Sequence, residues 1–382
     1  MSKLRLSVLV LFSSIILFAG CSTDVDIIAP KTDVTIVYGL LELNQSRHYI
    51  RINKSFVGED SASVLAGEPG ANEYSDAEMI EAAIREMNTD GSVRRRFGLQ
   101  PTYVYNKEAG DFFSDSNKVY YFDGNLDVNY EYELYLKIQP EGEDEKEVTA
   151  LTSLLGSNDG SALRVNKPNL GGNGEFCEGR DNSEIDWVDR NEIRTSWSLK
   201  WSAANNASSY TSYGRFYYAD VYPDGTVKRD SVTLPIGVEK VTASSNLGEV
   251  EFVISPTEFY SAIGRAVPDY TIGTDDFTRI AVDTIQFFIE VANEELATFV
   301  DINKPATNIV QERPSYTNLN NGIGLFASKY ISSTRTAQVT CSGRILTASS
   351  MEELLYSSAS NTAESTGSKG FTNYRCNNGN CL

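Results

Sequence analysis

The sequence predicts a mainly β protein in two parts, a sandwich domain followed by a second β-rich domain with two short helices. Three observations carry this. The chain holds 21 Tyr and 17 Phe in 382 residues, with short runs of Val, Ile and Thr that favour strands. Several segments alternate apolar and polar side chains with a period of two. Helical spacing with start signals is confined to two segments, after Ser255 and after Asn293.

Taken in order, Lys3 and Arg5 precede an apolar run from Leu6 to Phe18, and Ala19-Gly20 precede Cys21. Residues 1–20 are thus expected to be a lipoprotein signal peptide, with Cys21 the thiol that is acylated. The run is too short for a membrane span, which takes about 20 apolar residues. A plain secretory leader is the alternative, and Phe18 departs from the leucine usual three places before a modified cysteine. Residues 21–32 form an acidic tether carrying Asp24 and Asp26.

Residues 33–155 are expected to form the sandwich. Val34 to Tyr38 and His48 to Ile52 read as strands, followed by a polar loop from Gly58 to Ser75. Met79, Ile80, Ala83, Ile84 and Met87 fall at helical spacing, while Asp90-Gly91 turns into the alternating Val93 to Phe97. Tyr132, Leu134, Leu136 and Ile138 alternate inward, with Glu131, Glu133, Tyr135 and Lys137 outward. Leu126, six residues before Tyr132, completes a pattern similar to the tyrosine corner of immunoglobulin and fibronectin type III sandwiches. Val148 to Thr152 is the return strand.

Residues 156–182 are a Gly/Asn-rich linker, and 183–340 make the second domain. There Trp197-x-Leu199-x-Trp201 has an apolar face, and Tyr213–Val221 and Thr226–Leu234 form a hairpin across Pro223-Asp224-Gly225. Ser255-Pro256-Thr257-Glu258 is a capping box with proline at the first helical position, and Phe259, Ile263 and Val267 share one stripe. Thr284–Val291 is a central strand. Asn293 caps a helix expected to turn Leu296, Phe299 and Val300 inward. Residues 341–382 are a Ser/Thr/Gly-rich tail, too poor in apolar residues to pack except through its cysteines.

Charge and inventory narrow the function. Net charge is -19 over the whole chain, and loss of Lys3 and Arg5 with the signal makes it -21. Nucleic acid is not an expected partner of so acidic a chain. The Arg94-Arg95-Arg96 run reads as a solvated face or an anchor for carboxylates across a strand pair. Cys177, Cys341, Cys376 and Cys381 are expected to form two disulfides, with three pairings open. One histidine and no paired CxxC argue against zinc. That histidine, His48, lies on a strand away from any nucleophile motif, so no Ser-His-Asp system is expected. The run Asp123 to Glu131 spaces oxygen side chains as calcium loops do, but departs from that pattern in its glycine. No metal, cofactor or catalytic residue is expected.

Asn318-Leu319-Asn320-Asn321-Gly322-Ile323-Gly324-Leu325-Phe326-Ala327, taken with Tyr132-Glu133-Leu134 and Ser255-Pro256-Thr257-Glu258-Phe259-Tyr260, resembles the Bacteroidota outer-membrane lipoprotein family catalogued as domain of unknown function number 4249. The resemblance covers residues 21 to about 335. It implies a strand at Ile80 to Ile84, and Ala82–Met87 is assigned to strand on that ground, against the helical spacing. It also implies an outer-membrane, lipid-anchored protein exposed at the cell surface, accessory to a TonB-dependent, starch-utilisation-type transporter. The acidic tether is similar to surface-export signals of such lipoproteins. The pair Gly322 and Gly324, beneath Phe326, reads as backbone geometry and not as a phosphate loop. The alternatives are a surface adhesin or matrix component, and a carboxylate-based hydrolase.

Overall fold

The computed structural model describes residues 33–56, 60–105, 113, 116–156, 184–185, 187–188, 196–240, 249–271, 274–304, 315–333, 345–346, 354 and 369–372. The first part contains β1 (Thr35–Leu41), β2 (Arg47–Lys54), helix α1 (Ala62–Ala66), β3 (Met79–Met87), β4 (Val93–Gly98), β5 (Gln100–Val104), β6 (Asn117–Asp123), β7 (Glu131–Ile138) and β8 (Lys146–Ser153). They form two facing layers, in the orders β1-β2-β6-β5 and β4-β3-β7-β8. That is the A-B-E-D over C′-C-F-G arrangement of an immunoglobulin-like sandwich. The layers meet because period-two alternation puts Val37, Leu41, Ile50 and Ile52 against Tyr132, Leu134, Leu136 and Ile138, all buried.

The segment from Met79 is strand throughout. Its helical spacing yields to pairing with β7, in which Ile84 lies opposite Leu134. Strands β5 and β6 are absent from the sequence-based expectations, since Pro101 and a short run of mixed residues give no clean alternation. Tyr132 opens β7 as a tyrosine corner: its hydroxyl accepts the Asp127 N–H at 2.7 Å. It lies 2.9 Å from the Glu86 carboxylate and 3.2 Å from the Asp127 carbonyl, either of which can take its proton. Leu126 is buried in the same core. Glu86 is fully buried and also held by Arg94 and Arg95. Both arginines reach it because the register between β3 and β4 slips beside Glu86, where Arg94 is the extra residue of a bulge. Arg96 pairs with Glu81. The arginine run is thus a carboxylate anchor across a strand pair.

The second part contains β9 (Glu184–Ile185), β10 (Trp197–Ser202), β11 (Ser209–Val221), β12 (Val227–Lys240), β13 (Glu249–Ile254), α2 (Pro256–Ala266), β14 (Thr278–Ala292), α3 (Glu294–Ile302), β15 (Ile323–Ser333), β16 (Ile345–Leu346) and β17 (Phe371–Thr372). The Ser255 hydroxyl accepts the Glu258 N–H at 3.2 Å, and Glu258 returns a bond to the Ser255 N–H at 3.2 Å. The box thereby satisfies two donors that the helix leaves orphaned. Phe259, Ile263 and Val267 are buried, and Phe259 meets Trp187 and Phe216.

Two expectations change here. Helix α3 is capped by Asn293 as expected, but none of its residues is fully buried and Val300 is exposed. It lies on the solvent side of the sheet, with Phe299 edge-on to Tyr38, so it covers an outer face and enters no core. The tail also packs in part. Phe371 is buried against Phe216 and Tyr218, and β17 runs parallel to β14. The buried Arg279, paired with Asp220 at 2.7 Å, donates to the Lys369 carbonyl at 2.9 Å. A single aromatic anchor and a buried cation do what composition gave no sign of.

The two parts share one sheet. The order β12-β11-β14-β15-β1-β2-β6-β5 is continuous, and among the described residues its junction between halves is the parallel pairing of β15 with β1. Gly324 makes that approach feasible: its φ is +118, and a Cβ there would lie 2.0 Å from the Val37 carbonyl oxygen. Asn318 clamps the same strand, accepting the Phe326 N–H at 2.9 Å and donating to the Phe326 carbonyl at 2.6 Å. Asn320 exchanges backbone bonds with Thr149, and Asn321 donates to the Glu147 carbonyl at 3.0 Å. Residues 318–327 therefore cross from β8 in one layer to β1 in the other and close the side of the sandwich. Polar ties finish the junction: Asn293 donates to Thr152 Oγ1 at 2.8 Å, and Asn206 to the Leu154 carbonyl at 2.9 Å.

Two outcomes are expected. Gly324→Ala destabilises by about 3 kcal/mol or more in denaturant melts, whereas Gly322→Ala, whose nearest contacts are at 3.1 Å, costs about 1 kcal/mol. Equal costs would disprove the role given to Gly324. For Glu86, burial pushes the carboxyl up, but bonds from Arg95, Arg94 and Tyr132 outweigh burial and hold it below its usual 4.5. A depressed folded-state pKa contributes stability above the unfolded value and loses it as pH falls through the folded one. Glu86→Gln should cost about 1–3 kcal/mol at pH 7, with the difference from wild type shrinking below pH 4.5.

Candidate functional site

The residues singled out in the sequence go to two places. Cys21, Cys177, Cys341, Cys376 and Cys381 lie outside the described residues. Leu126, Tyr132, Gly322, Gly324 and Phe326 gather in and around the sandwich core, where Phe326 packs over Gly39. These five build the fold. His48 is buried and stacked on Phe122 at 4.7 Å, with Nε2 3.2 Å from the Gly124 carbonyl. Burial lowers its pKa despite the Gly124 carbonyl and Glu42. Among the described residues it meets a backbone carbonyl and an aromatic ring. In the acidic run, Asp127 Oδ1 accepts from Asn129 at 2.8 Å, and among the described residues no group of three His, Cys, Asp or Glu is placed to hold a metal.

Among the described residues, a concavity lies where the described chain begins. Thr35 pairs with Lys54, Met79 with Ile138, and Ile138 with Lys146. The start of β1, the β2–β3 loop and the β7–β8 turn therefore share one end. Between them opens a cleft of about 850 Å³, walled by Asp33, Lys54, Leu65, Glu68, Glu78 and Glu141 among others. Pro140-Glu141-Gly142 forms its outer lip, with Gly142 at a φ of 80.

Asp33 is the unusual group in this wall. Its side chain is 8% exposed, and Oδ1 takes the Tyr74 hydroxyl at 3.1 Å. Lys146 Nζ stands 4.0 Å from Oδ1 and spends a hydrogen bond on the Asp33 carbonyl at 2.7 Å. Oδ2 is buried with no hydrogen-bond partner. Burial raises the Asp33 pKa, and Lys146 and Tyr74 offset only part of the rise. The Tyr74 hydroxyl, also bonded to Thr35 Oγ1 at 2.8 Å, is itself pushed well above its usual pKa by burial. Lys54 is held by Glu78 at 3.0 Å. Glu68 and Glu141 form no ion pair with any described residue, so the described lip of the cleft is acidic, while Asp33 Oδ2 is sealed behind it.

Sequence reasoning missed this site. One sign was legible: Thr35, Val37, Gly39 and Leu41 face inward along β1, and Asp33 continues that parity. An acid on the inward side of a strand calls for a partner. The loops that complete the wall gave no periodic pattern.

The apolar rim comes from the same end. Phe113 is 62% exposed, and its N–H donates to the Ala66 carbonyl at 3.0 Å, which seats it beside α1. Val64 on that helix is 54% exposed.

A folded-state pKa raised in a carboxyl means relative stability that is present below the unfolded value of 3.8 and lost as pH rises through the folded one. Asp33→Asn should therefore raise Tm at pH 7 by about 2 °C, with the gain vanishing below pH 3.8 in thermal melts. A lower Tm at pH 7 would show that Asp33 contributes to stability as an ion.

No family model matches this chain, and no curated protein matches it. The site is therefore interpreted from its own atoms.

Proposed function

We propose that this chain is an outer-membrane lipoprotein, held at the membrane through Cys21 and displayed at the cell surface. It acts as a non-catalytic binding subunit of an outer-membrane complex, with a TonB-dependent β-barrel transporter as its partner. The leader from Lys3 to Cys21 and the resemblance to the lipoprotein family numbered 4249 support the address. The single observation that carries the binding role is the acidic cleft at the end of the sandwich where the described chain begins.

The geometry favours binding over catalysis. The wall of the cleft offers loops and turns of the kind used for recognition. The two disulfides expected from Cys177, Cys341, Cys376 and Cys381 belong to the same proposal.

Labelled palmitate should enter the protein in cells and fail to enter Cys21→Ser. Mild-detergent extraction of the wild type should recover a large β-barrel protein with it. An unmodified N-terminal peptide in mass spectrometry would overturn the anchor, and a lone lipoprotein in repeated extractions would overturn the partner.

A further inference from the structure

We propose that the slot holding residues 369–372 is an exchange site between copies of this chain. The chain's own Lys-Gly-Phe-Thr segment fills it in a single copy, and the same segment of a second copy fills it in a dimer. Neither the anchor nor the cleft is needed for this. The walls of the slot are fixed by bonds of their own. The buried Arg279 guanidinium is held by Asp220 at 2.7 and 3.0 Å and by the Pro268 carbonyl at 2.7 Å. Tyr270 donates to the Asp275 carbonyl at 3.1 Å and stands edge-on to Phe277. These ties join residues of 220–279 to one another and do not involve the segment.

The slot then reads the segment residue by residue. Arg279 donates to the Lys369 carbonyl at 2.9 Å, and the Lys369 ammonium meets Asp269 at 2.6 Å. Gly370 has a φ of +71, and a Cβ there would lie 2.4 Å from the Tyr270 ring, so both backbone and space demand glycine. Phe371 is buried in the second core, edge-on to Phe216 at 5.9 Å and to Tyr218 at 6.1 Å. Thr372 Oγ1 donates to the Arg279 carbonyl at 3.2 Å. The backbone lies parallel to β14, as an added strand does when a sheet edge takes up a peptide.

The length and composition of the chain point to a second copy as the other source of this segment. Lys369 lies 90 positions beyond Arg279. The described residue before it is Leu354, buried in the second core. From Ser357 to Ser368 the sequence carries no apolar side chain larger than alanine and no proline. By composition, such a stretch offers little that would bind the segment to one copy. The steps from Leu354 to Lys369 reach about 50 Å at full extension, enough to enter the slot of a neighbour. Exchange keeps every contact named above, so the two arrangements differ only in the tether. A different protein would have to present glycine and phenylalanine in the same order, which a second copy does by identity.

The test uses the mature chain, residues 21–382 with Cys21→Ser and a benzophenone at Ser368, as an equal mixture of ordinary and nitrogen-15-labelled protein. Irradiation followed by mass spectrometry separates crosslinks within a copy from those that join two. A tethered segment competes at millimolar effective concentration, so at about 200 µM protein roughly a tenth of the crosslinks from the tail to residues 268–280 should join unlike isotopes. That share should rise with protein concentration. Excess acetyl-Gly-Ser-Lys-Gly-Phe-Thr-Asn-Tyr-amide should suppress the mixed crosslinks, and the same peptide carrying Gly370→Ala should be about tenfold weaker. The peptide arm alters nothing in the protein, so its result does not depend on the folding of a variant. Crosslinks confined to one isotope at every concentration, mixed crosslinks that fall outside the slot, or equal suppression by the two peptides would each overturn the proposal.

Discussion

The parallel pairing of β15 with β1 is the contact on which the rest of the structure depends. Among the described residues it is where the nine-stranded sheet passes from the first half of the chain to the second. Parallel neighbours distant in sequence need a reason to approach, and Gly324 provides it by lacking the Cβ that would strike Val37. Asn318 then fixes the register through both backbone groups of Phe326. With that strand in place, Phe326 and Leu319 enter the sandwich core and Tyr330 enters the other one. The backbone crosses between the same two cores at Leu154 and Leu155, so a covalent link and a hydrogen-bonded one lie side by side.

What could be read from residues alone follows a physical division. Local signals were legible because their partners are near in sequence: the Ser255 box, the Asn293 cap, the Asp224-Gly225 turn, and the Tyr132 hydroxyl reaching Asp127. Period-two strands such as β7 were legible because one face is buried along their whole length. Non-local facts were not. Nothing in Asn318 to Ala327 announces a strand that pairs with β1, and the helical spacing of Met79 to Met87 points the wrong way until β7 is beside it. The inward direction of Val300 failed because α3 packs on the outside of a sheet, a choice that a short amphipathic pattern does not record.

The cleft illustrates a balance between stability and use. Asp33 and Glu86 are both buried acids in the same sandwich, with opposite outcomes. Glu86 receives two arginines and a tyrosine hydroxyl, and the fold gains from its charge. Asp33 receives one hydroxyl and a distant lysine, and the fold loses from its charge. The difference between them is a count of donors, which is why the second reads as a site and the first as a fastening.

The register that sets Ile36 beside Ile323 also has a consequence in time. Synthesis delivers β1 to β8 long before β15, and a sandwich with its side unclosed leaves an edge and a patch of core in water. The early strands must wait for the late one. Such a chain stays pliable while it is being made and moved, and becomes rigid only when nearly all of it has arrived.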